Sequence, residues 1–545
     1  MSTVAKVSNY LLGGSNRGKH PATQGSELSV NMFFEQSGNV SYMASVPGLK
    51  KVKKLGDYTT CRGVYVSSVG LSDYGGRENM FVVMDRDVIR ILPNGTTSIV
   101  GQISSGADRV IFCETGGLRP FLLIADGFAL WAYDLAEGGN LRQVPLPERI
   151  TGEGGAIKPS HVQAIAGSII INDVNTGFAY YSVPYPLNSE TREVFQMEQD
   201  SSGKWQPKYD PNNPYKVLTK PVDSFDYMFY DNYGTVQYFN AESSSDNIVA
   251  LKAVGSSLVL LGNKTIEIWQ RGSGEYDTWV RSSYTTNASN GLAETYSVAC
   301  VDSTLFYLGS GESYAKGVMM ATPGGSYTKI SDDWREAKLL QEQSGRAICF
   351  AFAVGSHRFY VVNLPSLNET WVYDTDSKYW HQRSSRHQTT GRQIAWRPQG
   401  IAWFNGDFYA VCSDGCLYTH NEKYWYEDYA DGDRLPMVRI RQGSVLVDNN
   451  RPFRFDQFSV ECNVGTFEDY ELSPYLLLQV SKDGGNTFGN TRQASLGKAG
   501  QYNKRVVWNN LGLNRLCVLR LTYSHPTALE LTSCSQRITP TRTVI

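Results

Sequence analysis

No apolar stretch in the 545-residue sequence approaches the roughly 20 residues of a membrane-spanning helix. The opening segment, MSTVAKVSNYLLGGSNRGKH, lacks the apolar core of a secretory signal. Synthesis in a cytoplasm is therefore expected, without use of the secretory route. An excess of one charge is missing too. With 51 Lys and Arg against 53 Asp and Glu, the formal net charge is −2, which argues against a surface built to wrap nucleic acid. There is no P-loop, no GxSxG, no HExxH and no dinucleotide fingerprint. Enzyme readings stop there, and no catalytic, cofactor-binding or metal-ligating residue is assigned. The nine cysteines (Cys61, Cys113, Cys300, Cys349, Cys412, Cys416, Cys462, Cys517, Cys534) are odd in number and scattered. Free, mostly buried thiols are expected.

What is present favours strands. The 51 glycines and 33 tyrosines suit tight turns and β structure more than helices. The clearest unit is GSSLVLLGNKTIEIWQ (Gly255 to Gln270), two β-prone runs joined by Gly262, Asn263 and Lys264, which reads as a hairpin. Looser copies turn near Asp85, Asp126, Asn175, Gly311, Pro365 and Asp414. Most neighbours lie roughly 40–50 residues apart, the repeat length of a four-stranded propeller blade. The gap from Asn175 to Asn263 is nearly twice as long. The Tyr-, Pro- and Asn-rich stretch inside it (KWQPKYDPNNPYK, FDYMFYDNYG) lacks the hairpin pattern and reads as a protruding excursion.

The predicted fold is all-β, a β-propeller of six or seven blades with an inserted excursion and a C-terminal β-sandwich. Residues 1–60 are assigned to N-terminal strands and an arm. Residues 61–184 and 246–430 hold the blades, 185–245 the insertion, and 431–545 a sandwich of about seven alternating strands. Blade number stays open, because the first and last blades can share strands from both chain ends. One helix is expected, Ser331–Glu342, with Ser331 as N-cap.

Several motifs carry residues capable of chemistry. The aromatics closing second strands, Trp131, Tyr181, Trp269, Trp371 and Tyr418, read as wedges between blades ahead of a sugar-stacking ring. Ser481, Asp483, Gly485, Thr487 and Phe488 match an Asp box, a structural hairpin turn. Cys412, Cys416 and His420 in CSDGCLYTH read as two packed thiols and an exposed histidine, because Asp414-Gly415 makes a turn and no second ligand pair exists. His381, Arg383, Arg386 and His387 in HQRSSRHQ read as a solvated connection, with a partner or DNA-phosphate contact as the alternative. The basic run Lys50, Lys51, Lys53 and Lys54 reads as a solvated strand edge.

Three stretches carry a family resemblance. SVNMFFEQSGNVSYMASVPGLKKV followed by RGVYV, then SSLVLLGNKTIEIWQRGSG, and finally LLLQVSKDGGNTFGN with KRVVWNNLG and LTSCSQRI occur in order along the chain. With these, the chain resembles the packaged-DNA stabilisation proteins, also called tail hub or nozzle proteins, of short-tailed bacteriophages. The resemblance implies a non-enzymatic virion protein of the tail, made in the host bacterial cytoplasm. It implies a homohexamer below the head-to-tail adaptor, continuing the channel for double-stranded DNA without sequence-specific binding. It further implies retention of packaged DNA until ejection, and docking of tail fibre, tailspike or needle proteins, with no cofactor. The alternative is a propeller-based carbohydrate-binding protein or sialidase-like glycosidase.

Overall fold

A computed structural model describes residues 7–8, 10–15, 26–69, 78–116, 120–150, 155–183, 191–241, 246–272, 279–282, 290–311, 314–322, 327–343, 345–448, 451–464, 467, 469 and 471–541. The ends of the insertion at 185–190 and 242–245 lie outside these residues, as do 16–25 of the N-terminal segment. Seven successive antiparallel sheets form the body. Blade one runs Cys61–Val66, Met80–Met84, Asp87–Ile91, Thr97–Gln102, and blade two Ile111–Glu114, Phe121–Ala125, Leu130–Asp134, Gly138–Gln143. Blade three is Val162–Ile165, Ser168–Asn172, Phe178–Tyr181, Tyr238–Asn240, and blade four Ile248–Val254, Ser257–Gly262, Ile266–Arg271, Trp279–Arg281. Blade five is built on Thr304–Gly311, Tyr314–Ala321 and Tyr327–Lys329, and blade six is Ile348–Val354, His357–Leu364, Glu369–Asp374, Trp380–Gln382. In each, the second and third strands are the local hairpins legible in the sequence, for example Leu258 facing Trp269 in blade four.

Closure of the ring is visible in the apolar clusters. Each cluster is shared by two neighbouring blades. Phe81 and Val83 of blade one pack with Leu122 and Ile124 of blade two, and Ile170 of blade three packs with Leu258 and Trp269 of blade four. Around the ring, Phe404, Val411 and Leu417 of blade seven pack with Met80, Val82 and Ile89 of blade one. Among the described residues the ring therefore counts seven blades. Alternating strands put one apolar row on each sheet face, and both faces are buried because every blade has two neighbours.

The last blade is completed from the start of the chain. Lys50–Lys54 pairs antiparallel with Cys416–Thr419 as the outer strand of Pro398–Phe404, Asp407–Cys412, Cys416–Thr419. The four lysines thus stand on an outer edge, where charge discourages pairing with another chain. Only Val52 in that strand is apolar, so hydrophobic alternation could not assign it to the blade. The neighbouring hairpin, Met32–Ser37 with Val40–Ser45, joins the sandwich instead, beside Glu530–Pro540, Phe453–Asn463 and Lys504–Asn514. The described residues before Cys61 are thus shared between the two domains.

One strand fuses propeller and sandwich. Leu28–Val30 pairs antiparallel with Arg439–Gln442 of the second sandwich sheet, and Val30 pairs in parallel with Gln382 at the outer edge of blade six. Next to it Asn31 adopts φ 54°. Its side-chain amide donates to Ser384 O at 2.9 Å and to Val438 O at 2.8 Å, one on each domain. The sandwich core combines Met32, Met43, Phe458 and Trp508 with Leu476, Leu478 and Leu519 from the facing sheet.

The insertion is more regular than its composition suggests. It leaves blade three after Phe178–Tyr181 and returns as the outer strand Tyr238–Asn240. Between them, Thr191–Phe195 pairs with Thr219–Asp223, Met197–Gln199 with Trp205–Pro207, and Tyr209–Asp210 with Asn213–Val217. This chain of two-stranded ladders buries few residues, so neither side needs apolar residues. That is why the hairpin pattern is missing from its sequence. The helix is shorter than expected, Asp333–Leu339, and the cap is Asp332, whose carboxylate accepts from Arg335 N at 2.8 Å. Ser331 is diverted. Its hydroxyl accepts from Val318 N and donates to Glu336.

Candidate functional site

Two places gather polar side chains, the mouth of the propeller axis and the joint between propeller and sandwich. At the mouth, acidic residues in the hairpin turns hold the loops that lead into the inner strands. Asp85 accepts from Thr60 N at 3.0 Å, and Asp126 accepts from Ser104 N at 2.9 Å and from Trp131 Nε1 at 2.8 Å. Asp173 accepts from Lys158 N and Arg149. Arg62, fully buried, donates to the carbonyls of Asp85, Ser104 and Asp108. These are structural uses of charge, each carboxylate or guanidinium spent on backbone groups that burial would otherwise orphan.

Near the axis, at the starts of inner strands, lies a cavity of about 640 Å³ lined by Thr60, Arg109, Glu294, Tyr296, Arg346 and Gln399 among others. Arg109 donates to Gln399 O at 2.8 Å. Glu294 accepts from Lys316 Nζ at 2.9 Å and from Gly345 N at 2.6 Å. His161 lies behind, stacked on Tyr296 with ring centres 5.8 Å apart, and burial pushes its pKa down to about 3, so it is neutral. A cavity of this volume suits a small molecule. It is far too small for a DNA duplex, whose major groove alone is roughly 12 Å wide.

At the joint, HQRSSRHQ is buried where a solvated connection was expected. His381 and Arg383 are each 2% exposed, and of the two histidines only His387 faces solvent. The Arg383 guanidinium sits 4.7 Å from the ring centres of Phe359 and Trp396, and this aromatic cage is what lets a cation enter the core. It donates from Nη1 to His420 Nε2 at 3.2 Å, which leaves His420 Nδ1 to donate to Gly48 O at 3.1 Å. His420 is therefore buried, not exposed. Burial and the adjacent Arg383 push its pKa down to about 3. Cys412 and Cys416 are packed thiols as expected, on paired strands.

His357 lies on the same joint between two carboxylates. Nδ1 is 2.8 Å from Asp374 Oδ2 in blade six, and Nε2 is 2.7 Å from Glu35 Oε2 in the N-terminal hairpin. Burial opposes its charge, but hydrogen bonds and attraction from Asp374 and Glu35 outweigh it and raise the pKa to about 9. His357, Asp374 and Asp376 are close enough to share a cation. The imidazole is poorly suited to one, because both ring nitrogens are donated to carboxylates as an imidazolium and a metal ligand must be neutral. The group is an ion-pair clamp between domains.

The remaining motifs are structural. Trp269 stacks on Phe239 at 4.6 Å and donates Nε1 to Glu267 at 2.8 Å, inside the cluster between blades three and four. In the Asp box, Asp483 accepts from Thr487 N at 2.9 Å and from Ser481 Oγ at 2.6 Å, which lowers its pKa. Lys53 donates to Gly95 O at 3.1 Å and Lys51 to Ala430 O. The buried His381–Arg383 pair and the His357 clamp were missed from sequence. The one available signal was the aromatic alternation of the flanking strands, ICFAFAV and HRFYVVNL.

The class these features define is a closed seven-bladed propeller fused through a shared sheet to a β-sandwich, with its polar groups largely spent on internal structure. Two family models match it in the same order, "Bacteriophage P22 Gp10, beta-propeller" over residues 226–416 and "Bacteriophage P22 Gp10, beta-sandwich" over residues 439–539. The chain belongs to this family of packaged-DNA stabilisation proteins of short-tailed phages, and is a structural protein of the virion tail. Blades one and two, and most of three, precede the first match. No curated relative matches the sequence. Among solved structures, a virginiamycin B lyase from Staphylococcus aureus is similar at 9% identity and TM-score 0.38, over 68% of this chain and 98% of that one. The extracellular domain of the putative one-component system BT4673 from B. thetaiotaomicron is similar at 12% identity and TM-score 0.39, over 89% of this chain and 62% of that one. Resemblances this faint carry no argument about activity.

Proposed function

We propose that the chain forms the tail hub, or nozzle, as a ring of six copies below the head-to-tail adaptor. The ring extends the DNA channel, retains the packaged genome until ejection and docks fibres, spikes or a needle. The observation that carries this reading is the paired match, propeller then sandwich, to P22 Gp10. The geometry adds a constraint. The axial cavity among the described residues of one copy is too small for a duplex, so in this reading the conduit is formed between copies, around the symmetry axis of a closed ring. A net charge of −2 suits a wall past which DNA slides. The chain does no bond-making chemistry in this role.

The ring contacts are placed on the sandwich, the N-terminal strands and the insertion arm. The arm exposes Trp205 (61%) and Tyr215 (94%) on ladders with no core of their own, and large exposed aromatics are the commonest energetic anchors of interfaces. The carbohydrate reading finds little support at the axial mouth, where Asp126, Asp173 and Glu294 are already engaged by backbone amides or cations. Electron microscopy of the purified chain mixed with its adaptor tests the proposal. Six-fold rings seated on the adaptor are expected. A chain that stays monomeric with the adaptor and cleaves a sialoside would falsify it.

A further inference from the structure

The joint between propeller and sandwich holds an open cavity of about 260 Å³ that no part of the hub role uses. Its walls come from four separate regions of the chain. Phe33, Glu35 and Ala44 belong to the N-terminal hairpin, Phe359 to blade six and Arg383 to the link just after it, Trp425 to the segment after blade seven, and Ala528 to Glu530 to the sandwich. Apolar and aromatic residues share the wall with His420, three carboxylates and one permanent cation, Arg383, which is 2% exposed. Its Nε faces His381 Nε2 at 3.4 Å and its Nη1 faces His420 Nε2 at 3.2 Å. Both partners are neutral imidazoles held as acceptors. Among the described residues no carboxylate accepts a hydrogen bond from this guanidinium and none accepts from its Nη2.

A guanidinium buried on neutral partners has one edge left for an anion, and a carboxylate is the group its planar fork matches. The cavity does not favour anions in general. Glu422 is exposed at its rim and Glu530 stands half-buried beside it, accepting from Asn463 Nδ2 at 2.8 Å. Glu35 also lines it, already paired with His357. One cation at the buried end and carboxylates towards the opening select a dipolar ligand. Phosphate or a dicarboxylate would meet repulsion at the rim.

We propose that this cavity binds a small α-amino carboxylate with an apolar side chain. The ligand's carboxylate meets the free edge of Arg383, its ammonium faces Glu422 and Glu530, and its side chain lies among Phe33, Phe359 and Trp425. Because the walls come from both domains, an occupied cavity stiffens the joint. Ligand therefore raises the melting temperature by mass action.

Isothermal titration of the full chain with L-leucine and L-phenylalanine tests the site. Saturable one-to-one binding is expected for both. The methyl esters, which cannot pair with Arg383, should bind about tenfold more weakly or worse, as expected for a lost hydrogen bond to a charged group. The N-acetyl derivatives should also bind more weakly, and the double variant Glu422→Gln/Glu530→Gln should weaken the free amino acids without affecting the N-acetyl forms. Arg383→Met should abolish binding. Since that change enters an aromatic cage and can unfold the chain, Ala528→Leu provides an independent arm. It fills the half-buried wall, leaves Arg383 in place, and should cut affinity by about tenfold or more at an unchanged melting temperature. Absence of binding overturns the proposal. So does equal binding of acid and ester, equal binding of N-acetyl and free forms, or full affinity in Ala528→Leu.

Discussion

The blades and the arm of this protein use the same residue types in opposite ways. In the blades, Trp269, Tyr181 and Trp371 are enclosed between neighbouring sheets. In the arm, Trp205 and Tyr215 stand in solvent on ladders only two strands wide. A two-stranded ladder alone is marginal in water, so the arm's aromatics contribute little to its own folding. The difference separates residues that hold one copy together from residues available to hold copies to one another.

The largest expected effect is on the blade side. Trp269→Ala removes a stacked side chain from the cluster between blades three and four and should cost about 3–5 kcal/mol of unfolding free energy, read by chemical denaturation of the isolated chain. Closure of the ring comes next. Gly415 turns at φ +72°, and a Cβ there would stand 2.2 Å from Gly56 O in the segment after Lys50–Lys54. Gly415→Ala should cost about 2–3 kcal/mol and expose the N-terminal segment to limited proteolysis before any other region. Cleavage elsewhere first would contradict the role given to that strand.

The His357 clamp is expected to be smaller and pH-dependent. Its folded pKa is raised to about 9, against 6.5 for an unperturbed histidine. The contribution is therefore complete below about pH 6.5 and lost as pH rises through 9. Asp374 and Glu35 face the ring from blade six and the hairpin, and His381 is the neighbouring titratable group. His357→Gln should remove about 2 kcal/mol at pH 6.5 and flatten the decline in stability between pH 6.5 and 9. A parallel decline in both proteins would show that the clamp is not the cause. The smallest effect on stability belongs to the arm. Trp205→Ala/Tyr215→Ala should change unfolding by no more than about 0.5 kcal/mol, yet weaken self-association by about 2 kcal/mol, roughly thirtyfold. Sedimentation velocity and denaturation on one preparation would separate the two.

The same contrast explains what could be read from sequence. Hairpins such as GSSLVLLGNKTIEIWQ are local, and sheets buried on both faces write themselves as apolar runs around a turn, so the propeller and sandwich were legible. Pairing across the chain is not local. KKVKK has no apolar alternation, and its place beside Cys416–Thr419 follows from ring closure. The arm's strands were invisible because exposure on both sides removes any pattern. His381, Arg383 and His420 looked exposed because polar residues usually are. Their burial depends on rings contributed by Phe352, Phe359 and Trp396, whose proximity only the folded chain creates. The family resemblance pointed to the tail, and the paired domain matches agree with it.

The proposed hub puts its channel for DNA between copies and not through one. Native mass spectrometry of the full chain with its adaptor, followed by imaging of the assembled species down its symmetry axis, tests it most directly. Six copies are expected around an opening wide enough for duplex DNA, with each propeller axis off to the side and closed. A ring without such an opening, or DNA threaded along the propeller axis of a single copy, would contradict it.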